Sequence, residues 1–74
     1  MNIDKIREAM HRQPFLPFDV RTVDGRSYEV KHPDFISTSR NGRWVYIDDD
    51  EGHHILGVRM IPQLTIGGQV LEVD

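Results

Sequence analysis

The stretch from Phe15 to Pro33, FLPFDVRTVDGRSYEVKHP, has the pattern of a β-hairpin bounded by prolines. Apolar and polar side chains alternate on both sides of the Asp24-Gly25 pair, which is the period of a half-buried strand. An isolated two-stranded hairpin is marginally stable in water, because nothing covers its apolar face. The other segments of the chain are therefore expected to pack against this face.

The register of this hairpin follows from which side chains must share a face. A two-residue Asp-Gly turn would place the apolar residues of the first strand opposite charged residues of the second. A three-residue loop over residues 23–25 instead pairs Val20 with Tyr28. In the same register Phe18 lies opposite Val30. Because a slip of one residue moves every side chain to the other face, the three-residue loop is predicted, with Gly25 in the left-handed conformation.

A short helix is predicted over residues 3 to about 12, with the Asn2 side chain as its N-terminal cap. Pro14 ends this helix, because proline lacks a backbone donor and favours an extended residue before it. Spacings of three and four residues place three apolar side chains on one stripe: Ile3, Ile6 and Met10. Three helical turns are marginal alone in water, so the stripe is expected to dock on the sheet, with Phe15 or Leu16 beneath it.

A second hairpin is predicted around the Asn-Gly pair at 41–42. Asn-Gly between two strands favours a two-residue type I′ turn, which needs no bulge. In this register Ile36 lies opposite Ile47. Thr38 likewise lies opposite Val45, so that one face of this hairpin is apolar.

Turn residues divide the rest of the chain. They predict an acidic turn over 48–52, a fifth strand over 53–58, a proline-containing bend over 59–63 and a last hairpin over 64–71 around a Gly-Gly pair. The predicted fold class is α+β, mainly β. An N-terminal helix (about 3–12) precedes six or seven short antiparallel strands (about 18–74) in one domain, 1–74. The strands are expected to form a strongly bent sheet or a small open barrel, with the helix closing one end.

Composition limits the classes of function. A chain of 74 residues buries only about 60% of its unfolded surface, so a deep enclosed active site is not expected. The chain has no cysteine and no apolar run of the length of a signal peptide or membrane span, so a cytoplasmic location is expected. Net charge is −3, which argues against generic nucleic-acid binding. The charge is uneven: residues 1–43 carry +2 and residues 44–74 carry −5.

The segment IREAMHRQPFLPFDVRTVDGRSYEVKHPDF resembles the start of a group of small uncharacterised bacterial proteins of about seventy residues. The shared features are a short helix, a Pro-Phe-x-Pro-Phe elbow, an Asp-Gly turn and a His-Pro pair. In this chain they are Pro14, Phe15, Pro17, Phe18, Asp24, Gly25, His32 and Pro33. This resemblance implies no activity.

The order of a helix and a meander of short strands is also similar to small barrels of the Sm-like and SH3-like type. Sm-like proteins form rings and bind RNA. The Asp-x-x-x-Asn signature that reads RNA bases in that family has no match around residues 33–38. The acidic C-terminal half is also unlike an RNA-facing surface, so only the architecture is expected to carry over.

Titratable side chains cluster in the acidic run 48–51 and in the neighbouring His53 and His54. The spacing fits no EF-hand loop, and adjacent histidines on a strand point to opposite faces. No metal site is therefore predicted. His32 precedes Pro33 and has Asp34 nearby, which favours a hydrogen bond at the end of a strand over acid–base chemistry. The sequence predicts no catalytic residue, no cofactor and no enzymatic activity.

The candidate binding residues are a basic and aromatic set on the second hairpin: Arg40, Arg43, Trp44 and Tyr46. The predicted register places both aromatic residues on a face that they share with two serines, so this face is expected to be partly exposed. Tryptophan, tyrosine and arginine are the residues richest in protein-interface hot spots. The leading hypothesis is a non-enzymatic module that binds itself or another protein through sheet edges or the Trp44 face. The alternatives are a module that binds RNA or single-stranded nucleic acid through the same four residues and, third, a metal-dependent enzyme.

Overall fold

The computed structural model describes residues 3–73. Over this range the chain forms one α-helix, seven strands and two single turns of 3₁₀ helix at Pro33–Phe35 and Val58–Met60. The helix and strands follow in the order α1 (Asp4–His11), β1 (Phe18–Arg21), β2 (Ser27–Val30), β3 (Ile36–Thr38), β4 (Trp44–Asp49), β5 (Gly52–Gly57), β6 (Gln63–Ile66) and β7 (Gln69–Glu72).

All strand pairs are antiparallel, and they form two sheets. One sheet has four strands in the order β2-β1-β6-β7, and the other has three in the order β3-β4-β5. The predicted class, a mainly β chain with an N-terminal helix and six or seven short antiparallel strands, is confirmed with seven strands. The strands do not close into a barrel: neither sheet hydrogen-bonds to the other within residues 3–73.

A single apolar core is shared by the helix and both sheets. Alternate residues of the strands are buried, as in β4, where Val45 and Ile47 are inside and Trp44 and Tyr46 are outside. The largest fully buried side chains are Phe18, Ile6, Ile47, Ile61, Leu64, Val20, Val30, Val45, Val58 and Val73. This alternation fixes the register of each strand, because one face of every pair must remain in the core.

The helix begins at Asp4, one residue later than predicted, and ends at His11. Ile3 occupies the N-cap position without a side-chain hydrogen bond, and the predicted cap, Asn2, lies outside the described residues. Arg12 is already extended, as expected so close to Pro14.

The apolar stripe of the helix docks on the sheets as predicted, and it is wider than the sequence analysis proposed. Ile3, Ile6 and Ala9 are buried in the core, and Met10 is partly buried against it. Phe15 and Leu16 also pack against this core from the elbow. Ala9 was missed because a small side chain gives a weak periodic signal.

The register predicted for the first hairpin is confirmed. Phe18 pairs with Val30 and Val20 with Tyr28. Gly25 has φ +87°, the left-handed conformation that the three-residue loop requires. The strands remain joined beyond the ladder, because the amide of Thr22 donates to the carbonyl of Arg26 at 2.9 Å.

In the second hairpin the predicted register is confirmed, with Ile36 opposite Ile47 and Thr38 opposite Val45. The predicted type I′ turn is wrong. That turn needs positive φ at both central residues, and among residues 3–73 no residue other than glycine has positive φ. The Gly42 amide instead donates to the Ser39 carbonyl at 3.1 Å, so residues 39–42 form a turn inside a four-residue loop.

Side-chain hydrogen bonds explain why this loop has four residues, although Asn41-Gly42 predicts a two-residue turn. The Asn41 carboxamide oxygen accepts from the Arg43 amide at 3.0 Å and from the Ser39 hydroxyl at 2.7 Å. The Ser39 hydroxyl in turn accepts from the Trp44 amide at 3.0 Å. Because Asn41 is held by these bonds in an ordinary backbone region, Gly42 alone supplies the left-handed step, at φ +73°.

The acidic turn is shorter than predicted. Asp48 and Asp49 continue β4 and pair with His53 and Gly52, which leaves Asp50 and Glu51 as the turn. The fifth strand accordingly runs over Gly52–Gly57 and ends one residue before Val58, which begins a 3₁₀ turn. Both aspartates stay in the ladder, and their carboxylates contact the two histidines of β5.

The last predicted hairpin is confirmed as β6 and β7 around Gly67-Gly68. This hairpin brings distant parts of the chain together, because its first strand, β6, pairs with β1. Phe18 lies opposite Ile66 and Val20 opposite Leu64 in that pair. The first hairpin therefore has the C-terminal hairpin beside it in one sheet.

Candidate functional site

The outer face of the three-stranded sheet carries large apolar side chains that no described element covers. Trp44 and Tyr46 point outward from β4, and Tyr46 lies opposite Ile55 on β5. The exposed fractions are 45% for Trp44, 38% for Tyr46, 67% for Ile55 and 47% for Met60. The prediction that the face bearing Trp44 and Tyr46 is partly exposed is confirmed.

These four side chains lie on one continuous surface, which we call the outer apolar patch: Trp44, Tyr46, Ile55 and Met60. Trp44 lies opposite Gly57 in the ladder. A Cβ atom on Gly57 would lie 3.8 Å from Cζ3 of Trp44 and 3.8 Å from Cγ of Met60. The indole and the Met60 side chain therefore both lie over the bare backbone of Gly57. Contiguous exposed apolar surfaces of this kind mark interaction sites more often than single exposed residues do.

The two predicted arginines, Arg40 and Arg43, lie in the loop that leads into Trp44, and both are exposed. Among the described residues 3–73, neither guanidinium lies within 4.0 Å of a carboxylate. The structure thus places all four predicted binding residues at one end of the second sheet, with the rings on the outer face and the cations in the loop.

This loop is fixed to the helix. The Arg7 guanidinium donates to the Ser39 carbonyl at 3.1 Å, and its Nε lies 3.5 Å from the Thr38 hydroxyl. Gly42 lies beneath the start of the helix, where an added Cβ would be 3.2 Å from Cγ2 of Ile3. The guanidinium groups of Arg40 and Arg43 therefore project from a loop that contacts both Arg7 and Ile3.

The opposite end of the sheet is acidic. His53 forms a short contact with Asp48 on the outer face, and His54 Nε2 lies 2.9 Å from Oδ1 of Asp49 on the inner face. The hydrogen bond from His54 lowers the pKa of the Asp49 carboxyl below its ordinary value. The imidazole of His54 also stacks at a tilt on Tyr28, with ring centroids 4.8 Å apart. The two histidines do point to opposite faces, as the sequence analysis predicted.

An open cleft of about 370 Å³ lies beside this acidic end. Its lining is Ser27, Glu29, Lys31, Phe35, Asp48, Asp49, Asp50 and Glu51. Within residues 3–73, no three His, Asp or Glu side chains come together in a way that could hold a metal ion. The five carboxylates of the lining make the cleft an electronegative surface.

His32 has the local role that its sequence context favours. Its Nδ1 accepts a hydrogen bond from the Asp34 amide at 3.1 Å, which caps the 3₁₀ turn at Pro33–Phe35. The Asp34 carboxylate lies 3.5 Å from the same nitrogen on an exposed surface. This geometry is that of a structural cap.

Two members of the outer apolar patch, Ile55 and Met60, were not among the predicted site residues. The signal for Ile55 was present in the sequence, because a two-residue turn at Asp50-Glu51 places it opposite Tyr46. Met60 lies in a 3₁₀ turn that has no periodic pattern, so its place beside Trp44 required the structure.

Comparison with known proteins finds no family model that matches the chain, and no curated protein or solved structure with significant similarity to it. The likenesses to a small bacterial family and to Sm-like barrels therefore stay predictions. Within residues 3–73, no helix has both the length and the apolar character that crossing a membrane requires.

Proposed function

We propose that this chain is a non-enzymatic interaction module that self-associates through the outer face of its three-stranded sheet. The observation that supports this most strongly is the outer apolar patch, in which four large apolar side chains are each more than a third exposed. Aromatic residues and methionine are enriched in the buried cores of protein interfaces, and tryptophan and tyrosine are enriched among hot spots. The remainder of the sheet face is polar, as the rim of an interface is.

Charge favours a second copy of the chain as the partner. Three arginines lie next to patch residues along the chain at the Trp44 end: Arg40 and Arg43 in the loop before Trp44, and Arg59 beside Met60. Three carboxylates lie at the other end of β4 and in the turn that follows it: Asp48, Asp50 and Glu51. These ends are separated by the six residues of β4, about 20 Å at the rise of an extended strand. A two-fold axis that lies in the plane of this face and crosses the strands brings the basic end of each copy to the acidic end of the other.

Nucleic acid fits the same surface less well. A single strand stacked on Trp44 and Tyr46 would begin beside Arg43 and then run along β4 towards Asp48. The acidic end would repel its phosphates, and the net charge of −3 also opposes association. This alternative predicts binding at low salt that is lost in Arg43→Ala, so a gel-shift titration with a labelled single strand distinguishes the two classes of partner.

Size-exclusion chromatography with light scattering tests the proposal on three proteins. The wild type is expected to elute as an oligomer at high concentration and to dissociate on dilution. Trp44→Ser should weaken association by about tenfold or more, as the loss of an interface hot spot does. Val70→Ser is the matched control, because Val70 is 56% exposed on the other sheet and its loss should leave association unchanged. A wild type that stays monomeric up to about 1 mM, the weak limit of specific association, would refute the proposal.

A cytoplasmic location belongs to the same proposal. It is supported only by the absence of cysteine from a small chain, since small secreted domains commonly rely on disulfides.

A further inference from the structure

The two sheets have four edge strands, and three of them are short. β3 has three residues and begins at the end of a 3₁₀ turn, while β2 and β7 have four each. Glu29 on β2 also forms an exposed ion pair, at 3.8 Å, with Lys31, which directly follows the strand. Short strands and charged side chains are the usual means by which proteins prevent edges from pairing with other chains.

β5 lacks this protection. It is six residues long, GHHILG, and contains no lysine, arginine or proline. Among residues 3–73 it pairs with β4 alone, so one full edge of its backbone is open. The most exposed large apolar side chain of the described residues, Ile55, lies in the middle of this strand.

The backbone groups on this open edge can be identified from the ladder. The Val58 amide donates to the Arg43 carbonyl at 2.9 Å, which makes 43 and 58 a hydrogen-bonded pair. Such pairs alternate along an antiparallel ladder, so the pair of Tyr46 and Ile55 is of the other kind. The N–H and C=O groups of Ile55 and of its neighbours two residues away, His53 and Gly57, therefore point away from β4.

We infer that β5 pairs antiparallel with β5 of a second copy, about a two-fold axis that passes beside Ile55. This pairing goes beyond the proposed function, because it joins the two sheets along their edges and leaves their outer faces free for the contact proposed above. In this register Ile55 lies opposite Ile55 of the second copy, and His53 lies opposite Gly57. All three outward-facing residues of each strand then form hydrogen-bonded pairs, and two three-stranded sheets become one sheet of six strands.

Charge and surface both suit this register. The antiparallel pairing brings the turn residue Glu51 of one copy to the end of the ladder where the 3₁₀ turn that contains Arg59 begins in the other. His53 of one copy lies opposite Gly57 of the other, beside the Trp44 and Met60 side chains that cover that glycine. The two Ile55 side chains meet on the outer face, so the two outer apolar patches become one surface across the axis.

β7 provides an internal comparison. Val70 also lies in an edge strand, is exposed and is paired with Thr65. The Val73 amide donates to the Pro62 carbonyl at 3.0 Å, so by the same alternation the N–H group of Val70 points outward. β7 is two residues shorter than β5, so it offers a shorter edge for pairing.

Matched proline variants test the inference. Ile55→Pro removes an outward N–H group and no hydrogen bond of the β4–β5 ladder, and Val70→Pro does the same on β7. Dimerisation measured by light scattering should weaken by at least about tenfold in Ile55→Pro and remain unchanged in Val70→Pro. Circular dichroism checks that both variants are folded. Weaker dimerisation in Val70→Pro than in Ile55→Pro, or equal dimerisation constants for the two variants, would overturn the inference.

Amide hydrogen exchange of the wild type tests the same geometry without a substitution. The amides of Ile55 and Gly57 should exchange slowly at dimeric concentrations and rapidly after dilution. The Leu56 amide, which faces β4, should remain protected under both conditions. A dimer in which Ile55 and Gly57 still exchange rapidly would overturn the β5 pairing and leave the proposed function standing. A wild type that is monomeric throughout would overturn both.

Discussion

Substituting Gly42 tests how the loop that carries the two arginines is fixed. Gly42 has φ +73°, and a Cβ atom at this position would lie 3.2 Å from Cγ2 of Ile3. Gly25 has a similar φ of +87°, and no heavy atom lies within 4 Å of the position of its Cβ. Alanine at the two sites therefore imposes the same kind of backbone strain, but only Gly42→Ala also crowds the start of the helix.

The expected costs follow from these two terms. A left-handed alanine costs about 1–2 kcal/mol relative to glycine, so Gly25→Ala should lower the free energy of unfolding by about 1 kcal/mol after the smaller entropy of its unfolded chain is counted. Gly42→Ala should lose this amount and in addition about 1–3 kcal/mol for overpacking against Ile3. For a domain of this size each kcal/mol shifts the melting temperature by about 4–8 °C, so the variants should differ clearly.

Urea denaturation followed by circular dichroism measures both values, and a double-mutant cycle with Ile3→Leu isolates the contact. Leucine has no branch at Cβ, so Ile3→Leu removes the methyl group that the new Cβ would meet. The second substitution should therefore recover part of the loss in Gly42→Ala and nothing in Gly25→Ala. Equal costs for the two glycine variants, with no coupling to Ile3, would show that the helix does not hold this loop.

Three further substitutions probe the core, the loop and the acidic end. Leu64→Ala, in the centre of the four-stranded sheet, should cost about 2–5 kcal/mol of unfolding free energy in urea, and a loss below about 1 kcal/mol would contradict the described core. Ser39→Ala removes the hydroxyl that accepts from the Trp44 amide and should cost about 1 kcal/mol by the same measurement; no change would mean that this bond is replaced by water. Asp49→Asn removes a carboxylate whose pKa is lowered by His54, so the wild type should be the more stable at neutral pH, with the difference disappearing as pH falls below about 4. A difference that persists at pH 2 would contradict this sign.

The sequence was informative wherever one apolar face decides the structure. The register of the first hairpin could be predicted because the competing turn would have mixed charged and apolar residues around Val20 and Phe18. The left-handed Gly25 followed from that register. The second hairpin was predicted in the same way, and Ile36 does lie opposite Ile47.

The turn at Asn41-Gly42 shows where local statistics fail. Asn-Gly favours a type I′ turn only when its side chains do not compete for the backbone. Here the Ser39 hydroxyl and the Asn41 carboxamide bind the amides of Arg43 and Trp44, which stabilises a wider loop with the same register. Such bonds depend on the three-dimensional path of the loop, so the pair of residues alone does not predict them.

The pairing of strands that are distant in the chain could not be predicted from the sequence. Nothing in the periodicity of residues 63–66 indicates that they pair with β1, because this contact depends on how the whole core is covered. The candidate site was accordingly predicted only in part. Trp44 and Tyr46 were assigned to a partly exposed face, but Ile55 and Met60 joined them through the ladder to β5 and through the 3₁₀ turn.

Tryptophan fluorescence tests the central claim most directly, because Trp44 is the only tryptophan in the chain and lies in the outer apolar patch. Emission wavelength and quenching by acrylamide should be measured across a concentration series, with the mass followed in parallel by sedimentation equilibrium. The proposed self-association predicts that the mass rises towards twice the 8.6 kDa of the chain. It also predicts that Trp44 emission shifts to shorter wavelength and becomes harder to quench with acrylamide. Both fluorescence changes should have the same midpoint concentration as the rise in mass. A mass that rises while the Trp44 signal stays constant would place the interface elsewhere, and a constant mass of 8.6 kDa would contradict self-association altogether.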